Sequence, residues 1–192
     1  MKFVSYYYDK DPNKSTFYLD CNNKLKHNLN KFGYILDSEN IDFSKMNLEA
    51  YDKLNLYKPE FILRKLEEHK EPVVWIDADT TVHTKLEEIE TEEYDIIFAI
   101  REHDNKTPHA AIIGFNNTEK SKQFLLLWKK LCDEKKDDYQ WKCTEHCLLV
   151  DLFKTLDSSY KILNLLNFAS IGNRTKVNIG ISPAGWEYER SK

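Results

Sequence analysis

The chain has 192 residues, 41% hydrophobic and 31% charged, with a net charge of −4, which is the balance of one globular domain with a real core. The negative charge argues against a general nucleic-acid binder, and no run reaches the ~18 apolar residues of a membrane span. Five glycines leave neither a G-x-G-x-x-G fingerprint nor a P-loop.

In chain order, Lys2 to Tyr8 is apolar and aromatic and predicts a first strand ending at Asp9. The segment turns polar too early for a signal peptide. Tyr18, Cys21, Leu25, Leu29 and Phe32 recur at steps of three and four, one face of a helix that Gly33 stops. Tyr34 to Leu36 predicts a short second strand, followed by an irregular stretch to about Leu56. Pro59 suits the first turn of a helix whose core side is Phe61, Ile62, Leu63 and Leu66. Val73 to Ile76 is a buried strand running into Asp77-Ala78-Asp79-Thr80. Tyr94 to Ile100 and His109 to Phe115 predict two more strands. Thr118 can cap a helix whose apolar side is Phe124, Leu125, Leu127, Trp128 and Leu131, and a charged loop, Asp133 to Asp138, is expected to end it. A further helix spans about Thr144 to Leu156, with short strands near Tyr160 to Leu165 and Val177 to Ile181. No repeat or linker divides the chain, so residues 1–192 form a single α/β domain.

The cysteines Cys21, Cys132, Cys143 and Cys147 are expected to be reduced thiols. The sequons at Asn13, Asn105, Asn116 and Asn173 read as accidents of Asn richness. Together with the missing export signal, this points to a cytoplasmic protein.

Asp77 and Asp79 carry the chemistry. Buried strands of α/β proteins deliver side chains to the crevice beyond their carboxyl ends, and two carboxylates there suit a hard divalent cation that also holds phosphate oxygens. The run Tyr57-Lys58-Pro59-Glu60-Phe61-Ile62-Leu63, a helix, and then Val74-Trp75-Ile76-Asp77-Ala78-Asp79 resembles GT-A glycosyltransferases. The later order is also similar: a strand with small residues, His109 to Asn116, then a long amphipathic helix. Thr144-Glu145-His146 opens the next helix, as an acidic-polar pair does in many family members. The resemblance covers residues 1 to about 165, and in length the chain is similar to compact enzymes of large DNA viruses and some bacteria. Were it virus-encoded, the compartment would be the host cytoplasm.

The resemblance implies a GT-A fold with a mixed central sheet. It also implies transfer of a sugar from a nucleoside diphosphate sugar, uridine diphosphate favoured, to a glycan or glycoprotein hydroxyl. Asp79 is the expected direct ligand of Mn²⁺ or Mg²⁺, with Asp77 expected to contact the metal or the ribose. Many members add a C-terminal histidine ligand, which is absent here, since no histidine follows His146. Lys58 is expected to reach the nucleotide-sugar, and one of Tyr6 to Tyr8 with Asp9 to meet the base and ribose. Ala78, Ala110, Ala111 and His146 complete the expected donor pocket. Glu145 is expected to act on the sugars, as base or as hydroxyl ligand, although an acidic residue in a first helical turn is favourable by itself.

Rival readings differ in their demands. Asp77-Ala78-Asp79-Thr80-Thr81 satisfies the D-x-D-x-T signature of haloacid-dehalogenase-type phosphatases, with Asp77 as nucleophile. That motif normally ends the first strand, whereas two strands and two helices precede it here. A sugar nucleotidyltransferase needs a glycine-rich loop that is missing. A catalytically inactive nucleotide-sugar-binding module is the non-enzyme alternative, against which both aspartates and Glu145 stand. Zinc at Cys143, His146 and Cys147 lacks a fourth partner.

Overall fold

The computed structural model describes residues 1–8, 16–42, 51–91, 93–100, 107–136, 144–165 and 181–183. Strand β1 (Lys2–Tyr7) leads into α1 (Phe17–Lys31), β2 (Leu36–Asn40), a 3-10 turn (Tyr51–Tyr57) and α2 (Lys58–His69). Then follow β3 (Val73–Ile76), β4 (Thr80–Val82), a second 3-10 turn (Glu87–Ile89), β5 (Ile96–Ile100) and β6 (Pro108–Phe115). Helices α3 (Glu119–Lys136) and α4 (Glu145–Phe153) precede β7 (Ile162–Leu165) and β8 (Ile181–Pro183).

Six strands form one mixed sheet in the order β2-β1-β3-β6-β5-β7, and β4 pairs with β8 in a small antiparallel ribbon. Within the large sheet only β6 runs against its neighbours. Alternation along the strands separates two cores. Val4, Tyr6, Val73, Trp75 and Phe98 face one way, onto α2, α3 and α4. Phe3, Val74, Ile76 and Ile97 face the other way, onto Leu25 and Leu29 of α1. Because β1 and β3 are adjacent and parallel, their carboxyl ends open on the same crevice, and the start of antiparallel β6 arrives there as well.

Local rules account for most elements. Gly33 sits at φ +82° just past α1, where a Cβ is disfavoured. Pro59 lies in the first turn of α2. The hydroxyl of Thr118 accepts from Ser121 N at 3.2 Å at the start of α3.

The structure also corrects several expectations. The second strand is Leu36–Asn40 rather than Tyr34–Leu36, and Ile35 is 57% exposed. This edge strand is set by its backbone pairing to Phe3–Tyr7, so polar residues can occupy it. The expected Asp133–Asp138 loop is helical through Lys136, because Asp133 lies 2.5 Å from both Lys129 and Lys136, one turn away on either side. The strand β4, directly after Asp79, was not anticipated. Cys147 is disulfide-bonded, against the expectation of a thiol, because sequence spacing does not reveal which sulfurs a fold brings together; Cys21 and Cys132 are in no disulfide. Asn116 is buried and donates to Thr91 O at 3.1 Å, which leaves no amide to glycosylate. The other three sequons, Cys143 and Asp9 lie outside the described residues. Among those residues no helix is long and apolar enough to cross a membrane.

Candidate functional site

Beyond the carboxyl ends of β1 and β3 lies a cleft of about 200 Å³, lined by Tyr7, Tyr8, Tyr18, Trp75, Asp77 and Asp79 among others. Tyr6 also reaches it, but its ring is buried between Tyr57, Phe61 and Trp75 and its hydroxyl donates to Leu54 O at 3.0 Å. Of the three tyrosines, Tyr6 is therefore mostly core, while Tyr7 and Tyr8 stay half-buried at the cleft wall.

Asp77 is held from several directions. Its N–H continues the β3–β6 ladder by donating to Ala111 O at 2.8 Å, and its own carbonyl accepts from Thr80 N at 3.0 Å, closing a tight turn over Ala78. Its Oδ1 accepts from Trp75 Nε1 at 2.8 Å and from Lys58 Nζ at 2.9 Å. The side chain is still 33% exposed, and among the described residues no hydrogen bond engages Oδ2.

Lys58 is 2% exposed. Its ammonium lies 2.7 Å from Glu145 Oε1 and 3.1 Å from Ala110 O, in addition to Asp77, and 5.0 Å above the Trp75 ring. An ammonium has three N–H bonds, and three acceptors take them all. Burial alone would lower this lysine, but the charges of Asp77 and Glu145 and the hydrogen bonds to both carry it above the ordinary range. A cation in a first helical turn opposes the helix dipole, so only these partners keep it there.

The Ala110 carbonyl reaches Lys58 because β6 is irregular. Its pairing with β5 slips from Ile113↔Phe98 to His109↔Ala99, and the face alternation breaks at Ala111 and Ile112, both of which join the α1-side core. Ala110 and Ala111 are buried, and both meet the site through their carbonyls.

Glu145 opens α4, where Thr144 caps the helix by accepting from His146 N at 3.3 Å. It is 3% exposed, and its Oε2 has no hydrogen-bond partner. Burial pushes its carboxyl up, which Lys58 offsets only in part. Lys58 stands between it and Asp77, and Glu145 is not among the cleft-lining residues. Its own carbonyl accepts from Trp128 Nε1 at 3.2 Å, tying α4 to α3. His146 faces Pro108 O at 2.9 Å and the His109 ring at 5.6 Å, at the start of β6.

Asp79 contrasts with these groups. No ion-pair partner reaches it among the described residues, and burial followed by the charge of Asp77 pushes its carboxyl up to about 6. The ordinary value is 3.8, so the folded state binds the proton more tightly than the unfolded one. Stability in metal-free buffer should therefore fall as pH rises from about 4 to about 6. The check compares melts of wild type and Asp79→Asn in chelator. The variant's advantage should be larger at pH 7 than at pH 4.5, and an advantage independent of pH would show that Asp79 is solvated.

The chemistry of this donor set fits a divalent cation. Asp77 and Asp79 both line the cleft, the Lys58 ammonium is paired with Asp77 and Glu145, and among the described residues no ion pair reaches Asp79. A different cluster of Asp37, Glu68 and His69 also brings three potential ligands together. There the Lys65 ammonium already fills the centre, 2.7 Å from Asp37 Oδ2 and 3.0 Å from Glu68 Oε2.

No protein-family model matches the chain, and none of the curated proteins matches it in sequence. Solved structures do match the fold. A glycosyltransferase involved in glycosylation of the major capsid of PBCV-1 superposes with a TM-score of 0.63 at 10% identity, over 95% of this chain and 93% of that one. The galactosyltransferase LgtC, solved with donor and acceptor sugar analogues, gives 0.54 at 12% identity, over 95% and 86%. The glycosyltransferase GlyE of Streptococcus pneumoniae TIGR4 gives 0.54 at 14% identity, over 86% of this chain and 45% of that one. The mixed sheet with its reversed β6 is thus the GT-A fold.

Proposed function

We propose that the protein transfers a sugar from a nucleoside diphosphate sugar, a uridine diphosphate sugar by preference, to a hydroxyl of a glycan or glycoprotein acceptor. The observation that carries this reading is the Asp77–Asp79 pair at the end of an interior strand of a GT-A fold, facing a cleft, with Asp79 uncompensated. Asp77 Oδ2 and Asp79 are the atoms that would hold Mn²⁺ or Mg²⁺, in keeping with oxygen-only ligands. Such an ion, when bound, neutralises the charge that grows on a departing diphosphate. The chain's own contribution is positioning. Tyr7, Tyr8 and Tyr18 offer aromatic surface for the nucleoside, and the Trp75 and Lys58 hydrogen bonds fix the Asp77 rotamer.

The phosphatase alternative asks Asp77 to be a nucleophile. Its Oδ1 already accepts two N–H bonds, one of them from a buried ammonium, which lowers its nucleophilicity. The inactive-module alternative differs only in turnover. Titration calorimetry with uridine and guanosine diphosphates, each with and without Mn²⁺, tests the donor reading. Tight binding should need the metal, because a ligand linked to the cation gains affinity only when the cation is present. Equal affinity in chelator would remove Asp77 and Asp79 from the donor site. Release of nucleoside diphosphate from its sugar conjugate separates the enzyme from the module.

A further inference from the structure

We infer that Glu145 serves the site as the counter-charge of Lys58, which lets a buried cation orient Asp77 without cancelling the negative charge that a divalent cation needs. The inference rests on the metal-binding reading of Asp77 and Asp79 and assigns Glu145 a positioning role in place of direct contact with sugar. Four observations support it.

Lys58 has no N–H left for a ligand, since Asp77 Oδ1, Glu145 Oε1 and Ala110 O take all three at 2.9, 2.7 and 3.1 Å. Glu145 is almost fully buried behind that ammonium and does not line the cleft. The charges are also uneven in a telling way. A lysine against Asp77 alone would leave Asp77 and Asp79 with one net negative charge between them. With Glu145 present, three carboxylates against one ammonium leave two, matching a divalent cation. Glu145 reaches this place through the Thr144 cap and the Trp128 hydrogen bond to its carbonyl, so its position is fixed independently of any ligand.

The test is Mn²⁺ affinity at pH 7.5, read by electron paramagnetic resonance of the free ion, for wild type, Asp79→Asn, Glu145→Gln and Lys58→Gln/Glu145→Gln. Asp79→Asn should abolish binding. Glu145→Gln retains a hydrogen-bond acceptor for Lys58 but removes a charge, and should weaken Mn²⁺ by about 10- to 100-fold, the usual scale for groups behind a metal ligand. The double variant removes the cation as well, restores two net negative charges and should recover affinity to within about tenfold of wild type. It buries no lone charge, so it also reports should the single variant not fold. Unchanged Mn²⁺ affinity in Glu145→Gln with collapsed turnover would assign Glu145 to the sugars and overturn the inference. A double variant as weak as the single would overturn it too. Failure of wild type to bind Mn²⁺ is a different result, and it removes the metal reading together with this one.

Discussion

Asp79→Asn should abolish metal-dependent nucleotide binding and reduce transfer by about 10³-fold or more, or about 4 kcal/mol of transition-state stabilisation. The change is nearly isosteric and removes only charge. Wild type saturated with uridine diphosphate and Mn²⁺ at about 100 times the dissociation constant should gain about 2.7 kcal/mol of stability, and the variant should gain none. In chelator the order reverses, because the variant no longer carries a carboxylate raised by burial and by Asp77. A change that stabilises the empty protein while removing its activity marks a group kept for function at the expense of stability. Transfer within tenfold of wild type, or a metal-dependent shift that survives, would sink the assignment of Asp79 as a ligand.

Lys58→Met should be the most destabilising single change in the site. It leaves Glu145 buried with neither oxygen paired and Asp77 with the Trp75 N–H alone. Breaking a buried ion pair from one side costs about 3–5 kcal/mol, against a total of about 5–15 kcal/mol for a domain of this kind. Urea unfolding measures it. The midpoint should drop with an unchanged slope, since the surface exposed on unfolding stays the same. Pairing it with Glu145→Leu should recover most of the loss, because the stranded carboxylate goes with it. A loss under about 1 kcal/mol would mean that the pair behaves as a solvated surface bridge.

Much of this architecture is legible in the sequence because it is local. Val73 to Ile76 is an unbroken apolar run, so it reads as an interior strand and delivers Asp77 to a crevice. Pro59, Gly33, Thr118 and Thr144 mark helix ends through backbone chemistry that needs no tertiary partner. What escaped depends on distant contacts. Residues Leu36–Asn40 carry one apolar side chain and become a strand only because β1 offers a parallel edge. Thr80–Val82 becomes a strand because Ile181–Pro183 pairs with it. Lys58, Asp77 and Glu145 were each legible as site residues, but that Lys58 is buried between the two carboxylates has little sequence signal, for nothing in a lysine before a proline says that its charge is buried. The one available hint was a cation in the first turn of a helix, where the dipole disfavours it.

The insertion of β6 between β3 and β5 carries a consequence for biogenesis. Synthesis delivers Lys58 and Asp77 early, then Ala110 and last Glu145, at about 5–20 residues per second. For several seconds the nascent chain holds the lysine and its first carboxylate with neither the β6 carbonyl nor the α4 carboxylate in place. Lys58 gains the last of its three acceptors only once α4 has docked onto α3 and β6. A nascent chain that ends before residue 145 therefore holds the Lys58 ammonium without its second carboxylate, and the pairing of that lysine is completed only after most of the sheet has formed.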